Sequence, residues 1–557
     1  MSVIDAAETR AERAAPVSVA GLRASVAARL ASLTDVQLVG LAAAGLFLLA
    51  AWPLLLVELP PLQDLPNHVA TAHIVAHPDR YPEYSFNGLW RSNALLTLWF
   101  LAWGGQDLFV AARMFVAVVL AVTALALPIF LLRFRGRAGF WGSLLFAWPL
   151  VHSFSVAMGF LNFAFAFALS LILATVVDRQ RDGATLKRGI GIAALSVAIW
   201  YAHPFPLAVV GVLVMVHVVT RPSWRARARA AGALLLPMVP AALLCVITAH
   251  HHLVKAGGGA GVGPVFAFLN PWETLAHLWT DVSGALTPRG SLTIVPALLL
   301  PWFAWKGRRT ASSRLPLVVT AGLLAAYFFV PVMLSNWWYF NCRLVPYIWA
   351  LLLLWLPRDL PRPVALALTG CALVYSAATG VDYVRLDRDR AEVTAGINVV
   401  PRNATLLPLM FKRSQTSTFT ASLTHAWAYY TVRRDTSAPL VFAVERSYPV
   451  SYRESPPRPL VPPALDRFAE LRGTAAQVCR SLGRPAVDAG CTAAWRDLWA
   501  GFWREAEPRF THLLVWGIPP EARAIIPGQY QRIFVAGELE IYARCDTGGL
   551  APCAGPG

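Results

Sequence analysis

The run "VQLVGLAAAGLFLLAAWPLLLV" (36–57) leads directly into "LPPLQDLPNHVATAHIVAHP" (59–78), and this junction decides the fold. The first stretch has the length and apolarity of a membrane span, which takes about 20 such residues. The second packs an Asp, an Asn and three His into a short segment at the edge of that span. Ionisable groups beside hydrocarbon are costly, and where they persist they mark functional cavities.

The rest of the chain fits a membrane setting. Of 557 residues, 57% are hydrophobic and only 14% charged, against about 25% charged in soluble domains. The mean hydropathy is +0.52. The net charge of +17 reads as topology signals, not as a nucleic-acid surface. Residues 1–34 are polar and carry Arg10, Arg13, Arg23 and Arg29 ahead of the first apolar run. A signal peptide would place its apolar core earlier, so this segment reads as a cytoplasmic tail and 36–57 as an uncleaved span.

Apolar runs at 36–57, 108–132, 139–153, 155–177, 189–202, 203–220, 231–249, 291–305, 315–334, 343–357 and 363–383 predict about eleven spans. The connecting loops alternate. "RFRGR" (133–137), "RQRDGATLKR" (179–188), "RPSWRARAR" (221–229), "KGRRTASSR" (306–314) and "RDLPR" (358–362) are basic, while 58–92, 250–290 and 335–342 are nearly free of Lys and Arg. Basic loops stay inside, so the N-terminus is expected in the cytoplasm and the C-terminus outside. Residues 93–104, with Trp99 and Trp103, read as an interfacial segment or the start of a span.

Beyond Tyr383 the composition turns polar. Strand-like runs at 404–411, 439–445, 511–517 and 530–544, the last a hairpin broken at "AGE", alternate with helical stretches near 464–482 and 493–506. They predict an extracytoplasmic α/β domain over 385–557. Its Cys479, Cys491, Cys545 and Cys553 suit a disulfide-permissive compartment. Cys479–Cys491 and Cys545–Cys553 are the closest pairs, although four cysteines allow three pairings.

Asp64 reads in two ways. It can be the N-cap of a helix starting at Leu65, with Pro66 in the first turn, or a catalytic carboxylate with His68 one turn further on. His73 and His77 share the metal-compatible i, i+4 spacing, but two ligands are too few, and Pro78 disfavours helix at His77. Other polar groups fall at predicted external span ends: His152, Asn162, His203 and Arg343. The shared sidedness with Asp64 is the signal. "HP" at 203–204 also breaks a long apolar run, as a turn or an unwound segment lining a cavity. "HHH" (250–252) cannot put three side chains on one helix face. "AGGGAGVGP" (256–264) lacks the Lys-Ser/Thr of a P-loop and reads as a loop over an external cavity.

The ordered features resemble the GT-C superfamily of membrane glycosyltransferases, near the bacterial protein O-mannosyltransferases and lipid A aminoarabinose transferases. They are an early Asp in a long first external loop ("QDLPNHVATAHIVAHP"), basic inside loops, a late external Arg before a span ("NCRLVPYIWALLLL", 341–354), and a C-terminal hairpin ("YQRIFVAGELEIYAR"). The resemblance implies a polyprenyl-phosphate-sugar donor, inversion at the sugar carbon, and a bacterial inner-membrane location. It also implies that Asp64 takes the acceptor's proton and that Arg343 holds the donor phosphate, where a planar charged fork suits an oxyanion. One departure stands out: the second external loop, around 150–156, offers His152 where many members have a second carboxylate.

The candidate site is therefore Asp64 and His68 for catalysis, with Asn67, His152, Asn162, His203 and Arg343 for substrate binding. No metal site or cofactor is indicated, although a divalent cation is compatible. The expected partners are a polyprenyl-phosphate-linked sugar, membrane lipid, and a glycan, lipid or protein acceptor. A lipid-linked sugar transporter would share broken helices around a cavity. A non-catalytic scaffold would instead bury Asp64 as a cap, with no cavity at the span ends.

Overall fold

The computed structural model describes residues 28–546, except 104–106, 257–265, 284–287, 309–314, 335–336, 413–420, 444–447, 455, 466–467 and 486–488. The Gly-rich 256–264 stretch falls almost entirely outside the described residues, as does Cys553.

Helix α1 (Asp35–Ala51) starts at Thr34, whose side chain and that of Gln37 form a reciprocal capping box. A 3-10 turn (Trp52–Leu56) extends it. The segment beyond Pro60 folds into α2 (Leu65–Ala76), with Pro66 in its first turn and His77 closing it ahead of Pro78. The bundle is built on α3 (Leu108–Leu145) and α4 (Leu161–Asp182), which pack on each other, α3 also packing on α1. Gly136 interrupts α3 with left-handed backbone (φ 62°), inside the basic "RFRGR" segment expected as a loop.

Among the described residues, five helices are long and apolar enough to cross a membrane: Asp35–Leu56, Leu108–Leu145, Leu161–Asp182, Trp224–Thr248 and Arg362–Val399. Shorter apolar helices occupy Pro204–Val219, Val318–Phe329 and Asn341–Leu353. Of the eleven expected runs, 203–220, 315–334 and 343–357 give these shorter helices. The runs 139–153, 189–202 and 291–305 also yield no helix of crossing length. The first is divided between the end of α3 and a short turn at Trp148–Val151. The other two lie in α5 (Leu186–Ala202) and in Ile294–Gly307. His203 separates α5 from α6 (Pro204–Val219) in extended backbone (φ −165°, ψ 128°), the break expected at "HP".

The C-terminal region has its own core. Its four-stranded sheet runs in the order β2 (Leu406–Met410), β4 (His512–Trp516), β6 (Leu539–Arg544), β5 (Tyr530–Ala536). β2 and β4 are parallel and the other neighbours antiparallel. Pro408 is tolerated because β2 is an edge strand, where a missing N–H breaks no second ladder. The β5–β6 hairpin is the one expected from the sequence. Residues 439–443 of the strand expected over 439–445 form turns instead, 444–445 lying outside the described residues, and the helical stretch expected near 464–482 gives the short helices Pro462–Leu465, Phe468–Arg472 and Ala475–Ser481. A second, two-stranded sheet pairs β1 (Tyr84–Phe86) with β3 (Val450–Tyr452) and ties the first loop to this region.

Helix α2 is wedged between the two cores. Leu65, Val69 and Ala72 pack into the bundle, while Ala70 and Ile74 pack into the C-terminal core. The two groups lie on different sides of one short helix, which fixes its rotation. The expected Cys479–Cys491 bridge does not form: both are fully buried cysteines outside any disulfide, behaving as small hydrophobes. Cys545 is disulfide-bonded.

Candidate functional site

The backbone around Asp64 is held from the bundle side. Its N–H donates to the Met158 carbonyl at 3.0 Å, and the Gln63 N–H to the Ala157 carbonyl at 3.2 Å. Gly159 makes this approach possible. It adopts φ +85°, and a Cβ there would lie 3.0 Å from the Asp64 nitrogen. Asp64 occupies the N-cap position of α2, but its side chain makes no capping hydrogen bond. The purely capping reading therefore fails: the helix starts where the sequence says, and the carboxylate points elsewhere.

It points towards the C-terminal region. The His425 Nε2 lies 3.7 Å from Asp64 Oδ1, with the Asp64 side chain 13% exposed. Asn67, fully buried, bridges the same regions. Its Nδ2 donates to the Leu440 carbonyl at 2.8 Å and lies 3.4 Å from His425 Nδ1, while its Oδ1 accepts from the Phe442 N–H at 3.2 Å. His68 sits one turn along, its backbone N–H donating to the Asp64 carbonyl at 3.1 Å. Phe442 meets the rings of both His68 and His425 edge-on, at 5.7 and 5.2 Å. Burial draws the pKa of His68 down, and that of His425 down to about 3, so both imidazoles are neutral near pH 7.

Arg343 joins from the other side. It is 6% exposed, its guanidinium 5.1, 5.8 and 5.9 Å from the ring centres of Phe160, Phe163 and Phe340, and it interacts electrostatically with Asp64 and Tyr448. His203 lies in the field of Arg343 and edge-on to Phe163 at 5.6 Å, with its Nδ1 accepting from the Phe205 N–H. Asp64, His68, Asn67, Arg343 and His203 thus form a linked group. Asn162 has a different task. Its amide accepts from the Leu96 N–H and donates to the Asn93 carbonyl and side chain, bracing the 93–96 turn.

His152 faces a separate cleft of roughly 550 Å³ including its mouth, lined by Pro61, Leu62, Ala157, Arg289, Tyr375 and Asp382 among others. Arg289 Nε lies 3.3 Å from Asp382 Oδ2, both side chains 7% exposed. Its guanidinium is 5.2 Å from the centre of Tyr375, whose ring lies 5.0 Å from His152. Asp382 puts a carboxylate opposite the loop that lacks one in the sequence, though it is engaged by Arg289.

His425, Arg289 and Asp382 escape sequence reading. His425 lies in "LTHAWAYY" with no spacing that ties it to Asp64. Arg289 is one of the few cations in a loop read as nearly free of them, which is the one signal available. His73 also proves to be structural. Its Nε2 donates to Asp435 at 2.9 Å, and its ring lies 4.4 Å from that of His77. Among the described residues no group of three or more His, Cys, Asp or Glu forms a metal-binding cluster.

No protein-family profile and no curated protein sequence matches the chain. Two solved structures are similar. ArnT from Cupriavidus metallidurans in the apo state matches over 91% of this chain and 97% of its own, with TM-score 0.50 and 13% identity. The arabinofuranosyltransferase AftD from Mycobacteria gives TM-score 0.42 and 16% identity over 92% of this chain, which spans 40% of that longer protein.

Proposed function

With the GT-C fold of ArnT as premise, we propose that the chain is a multi-pass membrane glycosyltransferase of the bacterial inner membrane. It moves a sugar from a polyprenyl-phosphate carrier to an acceptor hydroxyl on the extracytoplasmic side, with inversion. The C-terminal region then lies outside as an α/β domain, in keeping with the basic-loop alternation and the disulfide at Cys545.

One observation carries the reading. An Asp at a helix N-cap does not cap but turns its carboxylate into a buried polar group that also holds Arg343. A carboxylate in that position is suited to take a proton, a step worth about 10²–10⁴-fold in rate. The acceptor oxygen attacks the anomeric carbon as the bond to the carrier phosphate breaks. The phosphate leaves with the electron pair, and the hydroxyl proton passes to Asp64.

The leaving phosphate needs a fixed cation. Arg343, beside Asp64, is the first candidate; Arg289, in the cleft reached past Pro61 and Leu62, is the second. His68, His203 and Asn67 border the Arg343 group and His152 the cleft, whereas Asn162 contributes by bracing the fold. No cofactor is assigned to the site.

The test is incubation of membranes carrying the protein with a panel of radiolabelled polyprenyl-phosphate sugars. Transfer of label from the carrier to a new product supports the reading. Label that only crosses the bilayer, still attached to its carrier, overturns it in favour of a transporter.

A further inference from the structure

We propose that His425 is a positioning residue for Asp64: its Nε2–H holds the carboxylate oriented for proton transfer, and Asn67 sets the tautomer that allows this. The inference rests on the reading of Asp64 as the general base.

Asn67 anchors this arrangement. Its amide is oriented by one backbone donor, the Phe442 N–H, and one backbone acceptor, the Leu440 carbonyl. The oxygen and nitrogen of the amide therefore cannot be exchanged without losing both bonds. The second Nδ2 hydrogen is left facing His425 Nδ1 at 3.4 Å. A donor opposite Nδ1 makes that nitrogen the acceptor, so the neutral ring carries its proton on Nε2. That proton is directed at Asp64 Oδ1 across 3.7 Å. Such contacts are often long before substrate binds and tighten afterwards.

Phe442 and Trp427 pin the ring edge-on at 5.2 and 6.1 Å, so His425 cannot swing away without disturbing the C-terminal core. The site is thereby completed by a residue more than 350 positions from Asp64 in the chain, and an undocked C-terminal region would take this contact away from the base. Among the described residues, the charged and titratable groups that interact with this pair include His68 on α2, with His425, and Arg343 on the 341–344 turn, with Asp64. Arg343 favours the carboxylate form, as does an N–H donated by His425. Removing that N–H makes Asp64 harder to ionise.

The experiment compares full-length wild type, His425→Ala, His425→Gln and His425→Asn in detergent. With whichever polyprenyl-phosphate sugar wild type uses, the pH profile of kcat/KM is recorded. The expected result for His425→Ala is a fall in kcat of about ten-fold or more with donor KM unchanged, and an acid limb displaced upward by about one pH unit. His425→Gln, whose amide nitrogen reaches the position of Nε2, returns the limb towards wild type; His425→Asn, which is shorter, does not. A uniform loss at every pH, with no displacement and no rescue by Gln, overturns the proposal.

A second readout needs no turnover. In protein carrying [4-13C]aspartate, with Asp64→Asn supplying the assignment, the Asp64 carboxyl is titrated in the wild type and in each His425 variant that folds. An upward displacement relative to wild type in His425→Asn, and in His425→Ala where it folds, with Gln near wild type, supports the proposal even if no donor in the panel is used. Unchanged titration overturns it, whatever the activity.

Discussion

The two ends of α2 carry the same pair of residue types in opposite senses. At its C-terminal end, His73 of the helix meets Asp435 of the C-terminal region; at its N-terminal end, Asp64 meets His425 of that region. The first pair is tight. Asp435 accepts from His73 at 2.9 Å, from Arg80 at 2.7 Å and from Arg402 at 3.0 Å, with its side chain only 5% exposed. The second pair stands at 3.7 Å. A carboxylate locked by three short contacts has nothing left to offer a substrate, and its work is to dock α2 against the sheet region. A carboxylate that faces a neutral imidazole across the longer distance is suited to accept a proton.

The largest expected effect breaks this comparison on stability. Asp435→Asn keeps the left-handed backbone at that position (φ 56°), which Asn tolerates, but removes the charge from beneath His73, Arg80 and Arg402. Thermal unfolding in detergent should show a loss of about 3 kcal/mol, the lower end for a broken buried pair because both arginines reach solvent. The same substitution at Asp64 should change stability by less than about 0.5 kcal/mol. Equal losses at the two sites would mean that both carboxylates are structural.

A smaller effect separates the two arginines. Lys keeps the charge but loses the planar fork. Arg343→Lys should lower sugar transfer about ten-fold, an amount near one lost charge-assisted hydrogen bond, if Arg343 holds the leaving phosphate. Arg289→Lys should do so instead if the cleft holds it. Donor-dependent rates of both variants decide between them, and no change in either removes the phosphate role from both.

Helix α2 and five of the eleven expected spans are legible because they rest on local signals. Pro66 after Asp64, and Pro78 after His77, bracket α2 in the sequence, and the β5–β6 hairpin carries its own turn at "AGE". The break at His203–Pro204 was legible for the same reason. What local pattern could not give was the pairing across the chain. Asp64 also reads as a cap, because capping and catalysis call for the same residue type at the same position. Asn162 looked like a site residue because a polar group at a span end has the same sequence appearance whether it faces a cavity or braces a turn. His425 was invisible, since only the docking of α2 between two cores brings it to Asp64. Over 439–443, the described part of the strand expected at 439–445, the backbone instead presents Leu440 and Phe442 to the Asn67 amide.

The smallest effect is on pH. Burial lowers the pKa of His73 despite the opposing bond to Asp435. Burial alone would raise the Asp435 carboxyl, but its bonds from His73 and Arg80 hold it below the usual range. For His73, the unfolded chain takes a proton that the folded chain resists, so stability is complete above about pH 6.5 and declines as the pH falls through that value. For Asp435, the contribution is present above about pH 4 and is lost below it. Both act in one direction. Unfolding temperature should decline on acidification from near 6.5, and the decline should be shallower in Asp435→Asn below about pH 4. An unfolding temperature that rises as the pH drops would contradict the account of this end of α2.

The most direct measurement concerns the other end. Wild type and Asp64→Asn, matched for amount and unfolding temperature, are each given the polyprenyl-phosphate sugar that wild type uses, and single-turnover transfer of label is followed. The account predicts that Asp64→Asn still binds the donor but transfers its sugar about 10²–10⁴-fold more slowly. Transfer at the wild-type rate by the folded variant would contradict it and leave Asp64 without a catalytic role.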